Sequence, residues 1–294
     1  MKKADKILFI INKHSGTGYQ ADVEGKILSH CEKINTDVRI EFTRDRGHAT
    51  ALAKSAAEEK FDQVFAVGGD GTINEVARAL VHTRTALGVI PRGSGNGLAR
   101  HLCIPLDIEK ALHLINSESI SIDTFTLNEK ISVNVSGIGF DGYVASLFGK
   151  DGKRGLLSYG KLVAQEYLNF EEFECRITVD NKSWSETSFI VALANSTQYG
   201  NNACIAPQAS MQDAMVDACL VKKIPLFQSP LFAYKLFRRG LEESRWINYL
   251  RCRDLVIETE NEVPYHIDGE AAGAATKFKL QTHPASLLIK APRL

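Results

Sequence analysis

The residues with the clearest chemical potential form one compact motif, Gly68-Gly69-Asp70-Gly71-Thr72-Ile73-Asn74-Glu75. It follows the apolar run QVFAV (63–67) and opens a stretch with helical periodicity. Glycines at a helix start let the backbone turn tightly, so that N–H groups face an anion, and the helix dipole favours negative charge there. The motif therefore predicts a phosphate cradle, although it lacks the G-x-x-x-x-G-K-[ST] pattern.

Asp70 is the informative residue of this motif. A carboxylate beside phosphates is repelled unless a cation bridges them or the carboxylate takes up a proton. The alternative is that Asp70 caps the helix and that the glycines serve an ordinary turn. The strand before the motif and the helix after it favour the functional interpretation.

A second pair of acidic residues stands near the C-terminus, in Asp268-Gly269-Glu270 after the run VPYHI (263–267). The glycine lets the chain bend so that two carboxylates flank one point, and such a pair can activate a hydroxyl. On the sequence alone, a surface turn that carries two acidic residues is the simpler interpretation.

The first part of the chain alternates short, β-branched apolar runs with helical stretches. Strands that are apolar throughout indicate a parallel sheet covered on both faces, with ligands at the carboxyl ends of its strands. We predict a doubly wound α/β domain over residues 1–125, to which residues 287–294 can return. The predicted strands are 6–12, 38–43, 63–67 and 86–90, and the predicted helices are 21–32, 48–60 and 72–82.

After this domain the pattern changes to short alternating segments, which are typical of antiparallel strands. We predict an antiparallel β-rich domain over residues 126–286. Its predicted strand segments are 131–140, 173–180, 183–195, 216–224, 255–260, 263–270, 277–283 and 286–292, interrupted by helices at 158–170 and about 230–250.

Composition narrows the class of protein. Lys plus Arg and Asp plus Glu both total 35, so the net charge offers no long-range attraction to a polyanion, and nucleic acid is not expected as a partner. Six cysteines without a C-x-x-C pair or zinc-ligand spacing indicate buried thiols in a reducing compartment, hence a cytoplasmic protein. No apolar run has the length of a signal peptide or a membrane span.

The motifs taken together resemble those of the diacylglycerol kinase catalytic domain family, which includes bacterial soluble lipid kinases and sphingosine and ceramide kinases. The glycine motif alone is also similar to NAD kinases and phosphofructokinases. The stretch PRGSGNGLA looks closer to the sphingosine and ceramide kinase version, because bacterial relatives usually have Thr where Ser94 stands. The shared features are Asn12 with the loop Ser15-Gly16-Thr17-Gly18, Thr43, Gly68–Thr72, Pro91–Asn96, Asp123 and Asp268-Gly269-Glu270.

This resemblance implies a kinase that uses ATP and Mg²⁺ and acts on a lipid hydroxyl at a membrane surface. ATP is expected on the first domain and the lipid head group in a cleft between the domains, with Glu270 as proton acceptor and Asp268 close to the metal. A network that includes Asp70 and Asp123 is expected to hold the catalytic Mg²⁺. The expected nucleotide contacts are Asn12, Thr43, Gly68, Gly69, Asp70, Gly71, Thr72, Asn74 and Ser94, for several of which a turn or capping role is the alternative.

The resemblance also implies a structural magnesium site formed by Asp213 with the main-chain oxygens of Ser210 and Met215. This chain has Ala214 where relatives commonly have glycine. If that position requires a positive φ, the loop here is expected to differ and the second metal is in doubt.

Membrane contact and oligomeric state are the least constrained features. The helix with Trp246, Arg238 and Arg239 could touch a bilayer, as could Lys150, Lys153 and Arg154 near Phe148; a solvated helix face is the alternative for each. Oligomeric state is left open, with a homodimer as one option. Two other functions stay open, an NAD kinase-like enzyme that acts on a soluble nucleotide and a non-catalytic nucleotide or lipid sensor. Four histidines near the motifs are predicted to be surface or packing residues, His14, His48, His101 and His266.

Overall fold

A computed structural model describes residues 5–15, 22–148, 155–242 and 244–292. The chain divides into two compact units, residues 1–122 with 285–294 and residues 123–284. The loop residues Gly16, Thr17 and Gly18, and the basic residues Lys150, Lys153 and Arg154, lie outside the described residues.

The first unit is built on a parallel sheet with the strand order β2-β1-β3-β4. A segment from the C-terminal part of the chain joins its edge, where Ile289 pairs with Leu87 of β4 in parallel. The elements of this unit are β1 (Ile7–Ile11), α1 (Asp22–Lys33), β2 (Val38–Phe42), α2 (His48–Glu58), β3 (Gln63–Gly68), α3 (Asp70–Leu80), β4 (Ala86–Pro91), α4 (Gly97–His101), α5 (Ile108–Leu112) and a 3₁₀ turn (His113–Asn116).

Helices cover both faces of this sheet. On one face, Phe9 and Phe65 stack with their ring centroids 4.9 Å apart and belong to a buried cluster with residues of α1 and α5. On the other side α2 contacts β1, and α3 contacts both β3 and β4. Every residue of β1, β3 and β4 is buried, as expected for strands covered on two faces. The predicted doubly wound α/β domain is confirmed.

The second unit is mainly antiparallel, as predicted. A buried cluster draws on most of its strands and includes Phe125, Tyr265 and Phe278. The remaining elements are β5 (Ser119–Leu127), β6 (Lys130–Ser132), β7 (Val135–Gly139), α6 (Phe140–Leu147), α7 (Leu156–Glu166), β8 (Phe173–Val179), β9 (Lys182–Ser188), β10 (Ile190–Ala194), β11 (Val216–Val221), α8 (Ser229–Phe237), β12 (Ile247–Cys252), β13 (Asp254–Ile267) and β14 (Glu270–Lys290), which supplies residues to both units.

Several predicted boundaries in the second unit are wrong. The predicted helix 230–250 ends at Phe237, because Arg239 takes a left-handed conformation (φ 57°) and Gly240 N–H donates to the Lys235 carbonyl at 2.9 Å. That turn closes a helix, and residues 247–252 form β12 instead. The segment 131–140 contains two strands, and Phe140 begins the unpredicted helix α6. Four short predicted strands merge into the two long strands β13 and β14, which pair with each other on both sides of an irregularity between Glu258 and Val263.

The structure bears on two of the predictions made from the cysteines and the apolar runs. All six cysteines are free thiols, but Cys103 is exposed rather than buried. In the part of the chain that the structure describes, no helix is long and apolar enough to cross a membrane.

Candidate functional site

The glycine motif forms the turn between β3 and α3, as the sequence predicts. Gly69 precedes α3 in an extended conformation, and Asp70 is the first helical residue. The first N–H groups of any helix lack partners within that helix, so this turn presents main-chain donors. The glycines are needed here for close approach and not for a positive φ. A Cβ on Gly93 would lie 2.7 Å from the Gly69 Cα, and one on Gly68 would lie 2.6 Å from the Thr72 Cβ.

Asp70 joins this turn to the second predicted loop, residues 93–97. Its carboxylate accepts hydrogen bonds from the Asn96 N–H at 2.8 Å and the Gly97 N–H at 2.7 Å. Helix α4 has no side-chain cap of its own, since Asn96 uses its amide on both main-chain groups of Gly93. The carboxylate of Asp70 therefore caps α4 from the start of α3. The sequence suggested capping of its own helix α3 as the alternative role, whereas the structure shows capping of α4; the predicted metal role stays a proposal.

Glu75, which ends the motif, does the same for α2. Its carboxylate accepts from the Gly47 N–H at 2.9 Å and the Ala49 N–H at 3.2 Å, and α2 has no local side-chain cap. Its main-chain carbonyl accepts from the Thr50 hydroxyl at 3.0 Å. The carboxylates of Asp70 and Glu75 thus hold the starts of two neighbouring helices against α3.

Asn12 connects the end of β1 to the motif. Its side-chain amide donates to the Thr72 hydroxyl at 2.9 Å, and its side-chain oxygen accepts from the His14 N–H at 2.9 Å. Thr43 lies beside it, since its N–H donates to the Ile11 carbonyl at 3.0 Å. The carboxyl ends of β1, β2, β3 and β4 therefore gather Asn12, Thr43, residues 68–72 and residues 93–97. Of the remaining predicted nucleotide contacts, Asn74 is buried and Ser94 is exposed.

In the second unit, Asp268 is held by the loop that leads into β7. Its carboxylate, 9% exposed, accepts from the Ser132 hydroxyl at 2.7 Å, the Asn134 N–H at 2.9 Å and the Val133 N–H at 3.0 Å. Asp268 itself has a left-handed conformation (φ 50°), followed by Gly269 (φ 84°). These bonds fix the sharp turn after which the half-buried Glu270 begins β14. The geometry gives Asp268 a supporting role, with the expected metal contact still a prediction.

His266 supports the same turn, and the sequence prediction of a surface or packing residue missed this role. The Gly269 N–H donates to its Nδ1 at 3.0 Å, so Nδ1 carries no proton and Nε2 is the donor. Nε2 lies 3.3 Å from a carboxylate oxygen of the buried Asp141, which also accepts from the Tyr199 hydroxyl at 3.4 Å. Burial and the Asp141 charge raise the pKa of Tyr199, so its hydroxyl stays protonated. Gly137 pairs with His266, and its lack of a side chain leaves space for Asp141. A glycine inside a strand pattern was the one available signal.

Asp123 is buried and anchors the loop 210–215. Its N–H donates to the Met211 carbonyl at 2.7 Å, and its carboxylate accepts from the Ala214 N–H at 2.7 Å. Ala214 has a φ of 61°. Alanine therefore adopts the left-handed conformation itself, at a cost of about 1 kcal/mol, and a difference from the loop of relatives with glycine stays a prediction.

Asn195 is the feature near Asp123 that bears on a metal. Its side-chain N–H groups donate to the carbonyls of Asp123 at 2.8 Å and Val133 at 2.9 Å, which fixes the orientation of the amide. Its side-chain oxygen is then buried and, among the described residues, has no hydrogen-bond partner. A buried acceptor of this kind fits an ordered water or a hard cation such as Mg²⁺. The sequence reasoning did not identify Asn195.

Asp213 fits its predicted metal role less well. One carboxylate oxygen accepts from the Met215 N–H at 3.1 Å, and the other lies 3.8 Å from the Arg251 guanidinium. Arg251 also pairs with Asp217 at 3.4 Å. The described residues contain no cluster of three or more His, Cys, Asp or Glu side chains suited to a metal. Arg251 thus supplies positive charge to Asp213, and the site with Ser210 remains a prediction.

Comparison with known proteins places these features in a family. Residues 6–127 match the model for the diacylglycerol kinase catalytic domain, and residues 134–291 match the model for the YegS C-terminal NAD kinase beta sandwich-like domain. "Diacylglycerol kinase" from Bacillus subtilis (strain 168) is 30% identical over 278 residues, which cover 90% of this chain and 89% of that protein. "Probable lipid kinase YegS-like" from Chromohalobacter salexigens is 26% identical over 260 residues, which cover 86% of this chain and 83% of that protein.

A solved structure of a diacylglycerol kinase from Bacillus anthracis (strain Sterne) superimposes with a TM-score of 0.80 at 24% identity and covers 99% of this chain and 98% of that one. This likeness shows the fold, including the order of the two units along the chain. The relatives and the two adjoining domain models show that the chain belongs to the diacylglycerol kinase catalytic domain family and is a kinase of that family.

Proposed function

We propose that this kinase transfers the γ-phosphoryl group of ATP to the hydroxyl of a membrane lipid, such as diacylglycerol or a sphingoid-type lipid. The observation that carries the proposal is the pair of glycine loops, 68–72 and 93–97, which lie within van der Waals distance at the carboxyl edge of a parallel sheet. Nucleotides bind at that edge in open α/β sheets. The lipid acceptor is supported by the names of the relatives from B. subtilis and C. salexigens.

In this mechanism the first domain (1–125) binds ATP. Main-chain N–H groups of residues 68–72 hold the phosphates, helped by the dipole of α3, which contributes roughly 0.3–1 kcal/mol. Asn12 orients the Thr72 hydroxyl toward this turn through their hydrogen bond. Thr43, Asn74 and Ser94 complete the proposed nucleotide contacts. Asp70 keeps the second glycine loop against the first and so preserves the shape of the cradle.

The second domain (126–286) provides the proton acceptor. Glu270 accepts the proton of the lipid hydroxyl while the hydroxyl oxygen forms a new bond to the γ-phosphorus of ATP. The bond between the γ-phosphorus and the bridging oxygen of the β-phosphate breaks, and ADP is released. Asp268 and His266 fix the turn that carries Glu270. Mg²⁺, when bound, neutralises phosphate charge; Asp123 and the unsatisfied Asn195 oxygen are the residues that fit it, with Asp70 as a further candidate.

The direct test is kinase activity with ATP, Mg²⁺ and a panel of lipid alcohols in detergent micelles. We expect product with at least one lipid, and we expect Glu270→Gln to lower kcat at least about 10²-fold, as is typical for loss of a general base. Glu258→Gln is the matched control, because Glu258 is a partly exposed glutamate on β13 that pairs with Lys277. Normal turnover in Glu270→Gln would contradict its role.

A second candidate function follows from the description of the C-terminal model as NAD kinase beta sandwich-like. Incubation with NAD and ATP separates the two candidates, because formation of NADP without any lipid product would overturn the lipid assignment. If calorimetry detects ATP binding but the chain transfers no phosphoryl group to any acceptor, the protein would instead be a nucleotide sensor.

A further inference from the structure

Helix α8 and the turn before it expose an unusual amount of apolar surface. Five exposed side chains of this segment together form what we call the α8 surface. Three of them, Phe227, Leu231 and Tyr234, are 81%, 59% and 61% exposed. Leu226 and Phe237 complete the set at 56% and 44%. They make up half of the ten large hydrophobic residues that are exposed among the described residues, within twelve positions of the chain.

The α8 surface is not the inner face of the helix. Phe232 and Leu236 lie on the opposite side and pack against the buried cluster that contains Leu241 and Ile247. The helix is therefore apolar on both sides, yet it contains no fully buried residue. A helix of this composition is normally covered on both sides, and a contiguous exposed apolar patch usually marks an interaction surface.

The segment that contains α8 has an excess of positive charge. Residues 222–245 carry six Lys or Arg and two Glu, in a chain whose basic and acidic residues are equal in number at 35 each. Arg238 and Arg239 are exposed directly after the last turn of α8. Arg245 is also exposed, lies over the Trp246 ring at 4.9 Å and donates to Gln228 at 2.7 Å. Trp246 itself is partly buried against the core cluster, so the sequence-based idea that it touches a bilayer gains no support.

We propose that the α8 surface binds the surface of an anionic lipid bilayer. Phe227, Leu231 and Tyr234 enter the boundary between head groups and acyl chains, while Arg238 and Arg239 bind phosphate groups. Aromatic and leucine side chains beside arginines are the composition of helices that lie in this boundary. The inference rests on the proposed function, because a lipid acceptor must be reached at the bilayer.

The test is vesicle binding by the full chain without ATP, measured by flotation with phosphatidylcholine vesicles that contain or lack phosphatidylglycerol. We expect the wild type to bind the anionic vesicles and Phe227→Ser/Leu231→Ser to bind at least about tenfold more weakly, since two of the three proposed anchors are removed. Arg238→Gln/Arg239→Asn should lower the preference for phosphatidylglycerol by about fivefold per charge and weaken its salt dependence. Asparagine is chosen because position 239 has a φ of 57°.

Leu28→Ser/Leu168→Ser is the matched control, because these leucines are 50% and 63% exposed outside the α8 surface. This control should bind vesicles like the wild type. Equal vesicle binding by Phe227→Ser/Leu231→Ser and the wild type would overturn the proposal. The proposal would also be overturned if the wild type did not bind vesicles but formed a dimer, and if the same double substitution dissociated that dimer. The α8 surface would then bind a second copy of the chain.

Activity in detergent micelles separates this inference from the proposed function. If no lipid is phosphorylated but vesicle binding depends on the α8 surface, the lipid kinase proposal fails and the docking surface stands. If lipid in micelles is phosphorylated but the substitutions leave vesicle binding unchanged, the kinase proposal stands and the α8 surface is not the docking site.

Discussion

In the first unit, two carboxylates of α3 bind main-chain N–H groups at the starts of neighbouring helices, 26–28 positions away in the chain, whereas in the second unit a much more distant segment holds the turn 268–270. Asp70 and Glu75 stand within one short motif and each bonds two main-chain donors. The partners of Asp268 lie more than 130 positions away in the chain. The sequence signals the first site through the single motif that carries both carboxylates, whereas no pattern near residue 268 indicates the distant segment that holds the second.

Asp70→Asn should have the largest effect in this comparison. Asparagine offers one acceptor where the carboxylate offers two, so one N–H of α4 is left facing an amide N–H₂ group. We expect a loss of about 2 kcal/mol in the free energy of unfolding and a fall in kcat of at least about 10²-fold. Denaturant unfolding and steady-state kinetics measure both. Asp107→Asn, which changes the cap of α5, should leave kcat unchanged; equal effects at both positions would contradict a special role for Asp70.

Gly137→Ala tests the side-chain network of the second unit. A Cβ there would lie 1.8 Å from an Asp141 carboxylate oxygen and 2.8 Å from the His266 Nε2. We expect the chain to lose about 1–3 kcal/mol of stability from overpacking and the turn at Gly269 to lose its support.

Comparing kcat with the KM for ATP separates an effect on the position of Glu270 from an effect on folding stability. If the network positions Glu270, Gly137→Ala and His266→Ala should both lower kcat while the KM for ATP stays unchanged. A change confined to thermal stability would show that the network serves folding alone. Gly160→Ala is the control, since a Cβ at Gly160 meets no atom within 4 Å.

Glu75→Gln should be milder than Asp70→Asn. The amide keeps one of the two bonds to the start of α2, so we expect a loss of about 1 kcal/mol, the usual cost of a helix N-cap. Thermal unfolding measures this change. A loss as large as that of Asp70→Asn would mean that the two carboxylates contribute equally to the free energy of unfolding.

Ala214→Gly should have the smallest effect and the opposite sign. Glycine relieves the left-handed strain of about 1 kcal/mol but loses about 0.5 kcal/mol through the greater freedom of its unfolded state. We expect a gain of about 0.5 kcal/mol in the free energy of unfolding, with the loop around Asp123 unchanged. A decrease in stability would show that the alanine side chain makes a compensating contact.

The α/β part of the fold was predictable because each strand is apolar throughout and each helix follows at a regular interval. The second unit was predictable only in class. The run 131–140 looked like one strand because its residues are apolar or small, yet Phe140 begins a helix. The helix predicted to reach residue 250 ends at 237. The sequence contains little sign of this end, because the residue that takes the left-handed conformation is Arg239 and not a glycine.

The sequence by itself determined the glycine motif, the acidic turn and the order of the two units along the chain, because these depend on residues adjacent in sequence. Only the tertiary structure decided which donors Asp70 and Asp268 bind, why glycine is required at positions 69 and 93, and that His266 and Asn195 belong to the candidate site. Those features depend on distances between residues far apart in the chain. Such distances are set by sheet pairing and core packing, which no local pattern encodes.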